Sequence, residues 1–517
     1  MTPEIEDGNT RTGRGLTGLV GIAGIALVVL IWFVATRDSG EIPQAVPPLG
    51  SDQPTSTTAA PDDSADQPAD PATDEPADSG EATASLSFAR AISIEVWVVD
   101  NGATDTIQRL TPTEFTKKTG VIVEFVDIPR QEFRERLPSI LRGSERADVV
   151  MIGSFEAAQF GAVNGWLHDL TSFAEDDPQF AFDDIIASVA SVNSAERAFT
   201  NLIPVERLYV VPFFAETSVL MYNQAIIDAA GVTVPEQPTW DEIAQIAELV
   251  HTDEVAGICL NGSVGWDELG ASLTTVVNTF GGTWWEANED GTPGQAQINQ
   301  PDSGFRAATE TYVDLLRNFG QEDPGSDQCL QIMQDGGAAM WFGSSTSAQQ
   351  LNQEGLAGNL GVARAPVGPA GLPGGGLSSW GFALPIGGDD DKITYAREFV
   401  SWATSDDFIS LVGETDGWEN APGGTRLSTY ENPDYQAANS TLADVTLDEL
   451  LSVDPLNPGT TTRPGLPVVE FVGIPEFQDI ATQCTIEISA AIWGELTTDQ
   501  ALEACQEIAS EVTQPDE

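Results

Sequence analysis

Short apolar runs alternate with amphipathic stretches along the chain from residue 92 onward. Two of these runs, ISIEVWVV (Ile92–Val99) and VIVEFVDI (Val121–Ile128), are typical of buried strands, and Gly120 marks the end of the helical stretch between them. A further helical stretch leads to a third run, ADVVMIG. Strands that alternate with helices predict an α/β fold with a parallel sheet that is covered on both faces. Ligands bind such sheets at the carboxyl ends of the strands, where the polar sequences DNGATD and GSFE lie.

A second αβ unit begins at about residue 213, after a turn that contains Pro and two aromatic residues. The sequence TSVLMYNQAIIDAAG predicts a buried strand and a short helix that stops at Gly231. TWDE is a capping box, in which Thr239 caps a helix and Glu242 reaches back to it. The apolar face of that helix consists of Ile243, Ile246, Ala247 and Val250. GICLNG is predicted to be the next strand, so the Pro-aromatic turn marks a crossing between two lobes.

The chain is predicted to return to the first lobe near AAMWFGSS (Ala338–Ser345), an apolar run that ends in small polar residues. A Gly/Pro-rich section follows, and then the strand SWGFALPI and the amphipathic helix AREFVSWATS. A chain that leaves and re-enters its lobes favours two domains that face each other across a cleft over two independent domains connected in series. Within a folded domain over 89–517, we expect one lobe at about 91–211 and 345–386, and the other at about 214–339 and 390–510.

The N-terminal region has a different character. Residues 16–35 carry no charge, and a run of about 20 such residues is long enough to cross a bilayer. Arg11 and Arg14 before the run outweigh Arg37 after it, which favours a cytoplasmic N-terminus. We therefore predict a cytoplasmic segment over 1–14, a single-pass signal anchor over 15–36 and a disordered acidic Pro/Ala/Thr stalk over 37–88, with the folded domain outside the cell membrane.

The charge of the chain excludes some partners. The 517 residues include 80 Asp and Glu against 21 Lys and Arg, a formal net charge of -59. Nucleic acids and anionic lipid headgroups are poor partners for such a surface, because phosphate binding requires a positive field. Most of these acids are interpreted as a solvated surface.

Four cysteines in an exported chain favour disulfides over a metal site. Cys484 and Cys505 stand ten residues before and eleven residues after Gly494, and both flanks have helical patterns. Two antiparallel helices that turn at Gly494 would place these two sulfur atoms at the same level along the helix axes, so we pair them. Cys259 and Cys329 are then expected to form the second disulfide. Buried free thiols are the alternative.

Several ordered segments resemble the family 1 extracellular solute-binding proteins, the sugar receptors of ABC importers. The resemblance covers about 92–505 and includes VPFFAETSVLMYNQAIIDAAGVTVPEQPTWDEI, GAAMWFGSS, GFALPI and AREFVSWATSDDF. Within the family, the sorbitol- and mannitol-binding branch is the most similar, through GICLNGSVGWDELGASLTTVVNTFGGTWWE, APGGTRLSTYENPDY and IGSFEAAQFGAVNGWL. The resemblance implies a type II periplasmic-binding-protein-like fold without catalytic activity or cofactor. It also implies a monomer that closes two lobes around a small neutral sugar or polyol and delivers it to the permease subunits of an importer.

A polyhydroxylated ligand requires flat aromatic surfaces for its C–H faces, and polar side chains that bind its hydroxyl pairs in a dry cleft. Such residues are expected in loops at strand ends and at the crossings. The candidate ligand-binding residues are Asn101, Asp105, Glu156, Phe214, Glu216, Trp266, Trp341, Ser344, Trp380 and Arg426.

Most of these candidates also have a structural interpretation. Trp341 and Trp380 lie in apolar runs and could pack in the core, and Arg426 could form a structural ion pair. Asn101 and Asp105 could form an Asx turn and a helix cap.

Two other classes of function would each explain part of the sequence. A secreted glycosidase would use paired carboxylates, but a chain with 80 acidic residues always contains such pairs, so their presence does not discriminate. Neither histidine lies in a nucleophile or metal-ligand pattern. A cell-surface adhesion or wall-binding protein would explain the anchor and stalk but not the two-lobed chain path. The sequence therefore favours a tethered receptor.

Overall fold

The computed structural model describes residues 92–99, 102–178, 180–195, 207–321, 325–460, 464–465 and 468–513, all within the compact unit Leu86–Glu517. The predicted cytoplasmic segment, anchor and stalk, over 1–88, lie outside the described residues. In chain order, the strands β1 to β12 span Ser93–Val99, Ile122–Ile128, Val149–Gly153, Ser194–Ala195, Arg207–Leu208, Val211–Glu216, Ser218–Asn223, Trp285–Ala287, Pro293–Ala296, Met340–Ser344, Leu360–Ala363 and Ser378–Ala383.

The first lobe is built on a five-stranded sheet with the order β2-β1-β3-β12-β6. The three strands predicted from apolar runs, β1 to β3, are parallel, and β12 inserts antiparallel between β3 and β6. All five residues of β3 are buried, as expected for a strand covered on both faces. Because β6 therefore runs parallel to β1 and β3, these three strands end at the same edge of the sheet.

Helices from two separate parts of the chain cover this sheet. They span Gly102–Thr111, Lys117–Thr119, Arg130–Leu141, Ser154–Glu156, Thr171–Asp176, Ala187–Val192, Ile393–Ala403, Asp406–Asp416, Leu427–Glu431, Pro433–Ala438 and Ala443–Ser452. Phe399 of the late helix packs on Phe382 of β12, with ring centroids 5.8 Å apart, and on Phe115 at 5.5 Å. The prediction placed residues 390–510 in the second lobe. It is corrected for the segment up to about Ser452, because that segment shares the core of the first lobe.

The second lobe contains a three-stranded antiparallel sheet with the order β10-β7-β11. Its helices span Gln224–Ala230, Trp240–Val250, Leu269–Thr279, Gly304–Phe319, Ser326–Gln334, Ser345–Gln353, Phe477–Ile492 and Thr498–Ser510. The predicted capping box is confirmed: Thr239 Oγ1 accepts from the Glu242 N–H, and Glu242 accepts from the Thr239 N–H at 2.8 Å. The predicted strand GICLNG forms only a single bridge, between Cys259 and Trp341.

The chain crosses between the lobes at Thr217, the one residue that separates β6 from β7. It does not cross back near Ala338–Ser345 as predicted: the helix Ser345–Gln353 and β11 still belong to the second lobe, where Ala348 and Leu351 are buried. The return occurs between β11 and β12, in the Gly/Pro-rich section. A third crossing lies between the helices Ala443–Ser452 and Phe477–Ile492.

The disulfides follow the predicted pairing. The helices Phe477–Ile492 and Thr498–Ser510 turn at Gly494, whose φ of 76° favours glycine, and they place the Cα atoms of Cys484 and Cys505 at 4.8 Å. Cys259 pairs with Cys329 at a Cα separation of 5.8 Å. Both bonds cross-link the second lobe.

No helix in the part of the chain from residue 92 onward that the structure describes is long and apolar enough to cross a membrane.

The Cys484–Cys505 bond is expected to stabilise the helix pair mainly by restricting the unfolded chain. Replacing both cysteines by serine should lower the free energy of unfolding by about 3 kcal/mol, as estimated for a loop of this order of length. Urea denaturation of the full-length protein followed by tryptophan fluorescence measures the change. An unchanged midpoint and slope would contradict a disulfide here.

Candidate functional site

A cavity of about 880 Å³ lies between the lobes, at the edge of the five-stranded sheet where β1, β3 and β6 end. Val99, Gly153 and Glu216, the last residues of these strands, all line it. The second lobe contributes Trp266, Asp267 and the helix Ser345–Gln353 to the opposite wall. The parallel strands thus place their carboxyl ends at the cleft, as predicted.

Glu156 and Trp380 lie side by side on the wall of the first lobe. Glu156 is buried in the short helix that follows β3, and Trp380 pairs with Gly153 across β3 and β12. A Cβ atom at Gly153 would lie 2.7 Å from Glu156 Oε2 and 3.6 Å from the Trp380 ring. Because Gly153 has no side chain, the Glu156 carboxylate has room beside the Trp380 indole.

Three aromatic side chains from both lobes meet at the cavity. Phe155 of the first lobe lies 5.0 Å from the Trp266 ring and 5.6 Å from the Phe471 ring, and Trp266 and Phe471 are 5.0 Å apart. Trp266 is 8% exposed, so most of the indole is fixed by packing while the residue still lines the cavity. Fixed aromatic faces of this kind suit the C–H surface of a sugar or polyol.

The lining of the cavity is strongly acidic. Among the residues that the structure describes, its acidic lining residues are Glu156, Glu216, Asp267, Asp416, Glu419 and Glu470, and its basic one is Arg109. Arg109 donates to Asp416, which further reduces its positive field. This balance disfavours phosphate or carboxylate ligands and suits a neutral ligand with many hydroxyls.

The surroundings of Glu470 change the pKa of its carboxyl group. Burial and the nearby charge of Glu216 raise the pKa of Glu470 to about 8. The side chain is therefore mostly protonated at neutral pH and able to donate a hydrogen bond.

Two tyrosines form another part of the wall. Tyr430 and Tyr435 pack edge to face with ring centroids 5.4 Å apart. Burial raises the pKa of Tyr435 to about 12 and raises the pKa of Tyr430 as well. Both phenols thus remain neutral at physiological pH.

Hydrogen bonds between residues that line the cavity also join the two lobes. Gln353 Nε2 of the second lobe donates to the Glu419 carbonyl of the first lobe at 2.9 Å, and Gln349 Nε2 donates to the same oxygen. These contacts must rearrange when the lobes move relative to each other.

The structure brings half of the predicted ligand-binding residues together. The cavity is lined by Glu156, Phe214, Glu216, Trp266 and Trp380. Asn101 lies outside the described residues.

The other four predicted residues do not line the cavity, for identifiable reasons. Asp105 is exposed in the first turn of its helix. Trp341 is 2% exposed and packs in the core of the second lobe near both cysteines of the Cys259–Cys329 bond. Ser344 caps the following helix by accepting from the Ser347 N–H at 3.1 Å.

Arg426 is a structural residue in the first lobe. Its guanidinium is fully buried and donates to the carbonyls of Thr404, Phe180 and Ala181 at 2.9, 2.7 and 3.3 Å. It also forms an ion pair with Asp184 at 3.3 Å. The structural ion pair considered from the sequence is therefore the arrangement observed.

Several lining residues were not predicted from the sequence, including Arg109, Gln349, Tyr430, Tyr435, Glu470 and Phe471. Glu470 had a signal: it is a lone acid in the apolar run LPVVEFVGIP, and a buried acid is a candidate functional group. Tyr430 and Tyr435 lie in the segment APGGTRLSTYENPDY, in which only Arg426 was predicted to bind the ligand.

Comparison with known proteins identifies the family. The model of the bacterial extracellular solute-binding proteins matches residues 101–408. The chain belongs to this family. The solute-binding protein is also 31% identical to the mannitol-binding protein of Pseudomonas aeruginosa over 424 residues, which cover 80% of this chain and 92% of the relative.

Solved structures agree with this assignment. An ABC transporter solute-binding protein from Agrobacterium vitis, solved with bound D-mannitol, is 34% identical, with a TM-score of 0.70 and coverage of 81% of this chain and 98% of that one. A ribitol complex from Agrobacterium radiobacter is 20% identical, with a TM-score of 0.65 and coverage of 81% and 98%, and it supports the fold alone. The predicted two-lobed binding-protein fold and the polyol branch are confirmed. As a member of this family, the chain is a solute-binding protein of an ABC importer and not an enzyme.

The role of Arg426 can be tested by truncation. Arg426→Ala should lower the free energy of unfolding by about 3 kcal/mol, because three carbonyls and Asp184 lose a buried donor. Urea denaturation measures this, with the exposed Arg317→Ala as the matched control. An Arg426→Ala protein of unchanged stability would contradict a structural role.

Proposed function

We propose that this chain is a membrane-tethered, extracellular receptor that closes its lobes around a small neutral polyol and presents it to the permease subunits of the importer. One observation carries the proposal: a cavity between the lobes combines fixed aromatic faces with neutral polar groups and with charged lining residues that, among those described, are acidic except for Arg109. Hydroxyl groups donate well to carboxylates, and anionic ligands are repelled by the same side chains.

The mannitol complex of the 34% identical relative supports a polyol of this size class. Within the cavity, the proposed ligand contacts are Glu156, Phe214, Glu216, Trp266 and Trp380, supplemented by Glu470. Trp266 is proposed as the main platform, because Phe155 and Phe471 hold its ring from both lobes. A ligand that touches both walls stabilises the closed arrangement over the open one.

Binding is tested by a thermal-shift series on the purified full-length protein with D-mannitol, D-sorbitol, ribitol and maltose, followed by titration calorimetry. A ligand that binds only the folded state raises the midpoint by mass action, so the polyols should give the largest shifts. The absence of a shift with every solute, in a protein shown to be folded, would reject the proposed function.

Trp266→Ala should weaken binding of the best polyol by about 10- to 100-fold, which corresponds to the loss of roughly 1.5 to 3 kcal/mol of stacking and burial. The matched control is Trp493→Ala, since Trp493 is 44% exposed and does not line the cavity. Equal affinities of the two variants in calorimetry would remove Trp266 from the site.

The tether is proposed from residues 15–36, whose uncharged run is long enough for a bilayer. Deleting residues 1–36 should move the protein from the membrane fraction to the soluble fraction of expressing cells. Retention of the shortened protein in the membrane fraction would contradict the tether.

A further inference from the structure

The three segments that connect the lobes meet at the inner end of the cavity. Thr217 Oγ1, at the first crossing, donates to the carbonyl of Gly376, which lies in the second crossing, at 2.7 Å. The backbone of Gly376 lies directly against the Glu470 carboxyl of the third crossing. A Cβ atom at position 376 would overlap Glu470 Oε1 and would lie 2.5 Å from Ser218 Oγ. The carboxyl group of Glu470 is thus held at the junction itself.

Glu216 belongs to the same junction. It precedes Thr217 and pairs with Ser378, two residues beyond Gly376, in the ladder between β6 and β12. Both Glu216 and Glu470 line the cavity. Two carboxyl groups therefore face the ligand space from different crossings, one from the end of a strand of the first lobe and one from the segment that leads into the second lobe.

Within the described parts of the chain, the basic groups near this pair are already engaged with other carboxylates. Glu156 and Asp267 are further acids on the two walls. Behind Gly375, Arg364 Nε already donates to Glu449 Oε1 at 2.7 Å. Among the described residues that line the cavity, the base is Arg109, which is paired with Asp416.

The surroundings of the pair are also partly apolar, because Phe471 follows Glu470 and packs on Phe155 and Trp266. Two ionised carboxylates at such a site repel each other, and their shared environment favours retention of one proton. The pKa of Glu470, raised to about 8 by burial and by Glu216, is consistent with Glu470 as the protonated member.

We propose that Glu216 and Glu470 bind one end of a neutral polyol as an acceptor and donor pair: the protonated Glu470 donates to one ligand oxygen, and the Glu216 carboxylate accepts from a neighbouring hydroxyl. The inference rests on the proposed function and deepens it. The pair would select uncharged ligands with adjacent hydroxyls. A sugar acid or sugar phosphate would bring a third negative charge to the junction.

The pH dependence of binding tests this arrangement. Because the protonated Glu470 is the binding form, affinity is full below its pKa and is lost as the pH rises through that value. Calorimetric titration of the full-length protein with D-mannitol should therefore show a Kd about tenfold higher at about pH 9 than at about pH 7. If D-mannitol does not bind, the same titration is made with D-sorbitol and ribitol.

Substitutions assign the effect to the two residues. Glu470→Gln keeps a donor but cannot titrate, so it should retain binding within a few fold and abolish the change between pH 7 and 9. Glu216→Gln removes the charge that helps to hold the proton on Glu470, so the fall in affinity should move to lower pH. Glu286→Gln, at an exposed position on β8, is the matched control and should behave like the wild type.

A ligand-independent measurement accompanies the titrations. Carbon-13 NMR of labelled glutamate carboxyls, with Glu470 assigned by its absence in Glu470→Gln, should show a group that titrates close to pH 8. A Glu470 carboxyl that titrates below about pH 5, in the range of an ordinary glutamate, would overturn the proposal.

The outcomes separate this inference from the proposed function. Binding of D-mannitol that is independent of pH, or that strengthens as the pH rises, would overturn the donor role of Glu470 and leave the receptor function intact. Failure of every neutral polyol to bind would overturn both.

Discussion

The hydrogen bonds of Thr217 define the junction on which both lobes depend. This buried residue stands alone between β6, in the sheet of the first lobe, and β7, in the sheet of the second. Its N–H donates to Ser345 Oγ at 3.2 Å, its carbonyl accepts from the Ser345 N–H at 2.8 Å, and its hydroxyl binds the Gly376 carbonyl. At this crossing the two sheets are thus connected through one residue whose polar groups are all used. In this connection, relative motion of the lobes must be absorbed by the few backbone torsions around Thr217.

The chemistry of the cleft follows from this geometry. Strands that run in parallel deliver their final residues to one edge, and the crossings pass along the same edge, so ligand-facing groups collect where the lobes are joined. Glycines at 153 and 376 let carboxyl groups approach the backbone closely. The result is a cleft whose charged lining is mostly acidic and lies next to rigid aromatic faces. Recognition of a neutral ligand in such a cleft depends on directional hydrogen bonds and not on charge attraction.

The sequence predicted the parts of the fold that depend on local patterns. The strands β1 to β3, the capping box at Thr239 and the helix pair around Gly494 are all encoded within short windows. The lobe boundaries were missed, because an apolar strand such as β10 looks the same whether it crosses between lobes or ends within one. The packing of Phe399 on the first lobe likewise depends on a partner in β12 that spacing does not specify.

Prediction of the site was limited for the same reason. Residues directly at strand ends, such as Glu156 and Glu216, could be found because the fold class fixes where strands end. The sequence alone could not show whether Trp341 packs in the core or faces a ligand. Its burial depends on β7 and on the Cys259–Cys329 region across the sheet. Glu470 meets Glu216 over a separation of more than 250 residues, so no local pattern could join them. Long-range contacts therefore bring together lining residues, such as Glu470, that were not predicted.

The central position of β12 affects how the protein folds as it is exported. β12 lies between β3 and β6, yet about 160 residues separate it from β6, and these residues build most of the second lobe. Until that segment emerges, β3 and β6 expose unpaired edges that can pair with other chains. The first lobe therefore cannot complete its sheet in the order of synthesis. Its early half depends on protection from aggregation until translocation of the later half is finished.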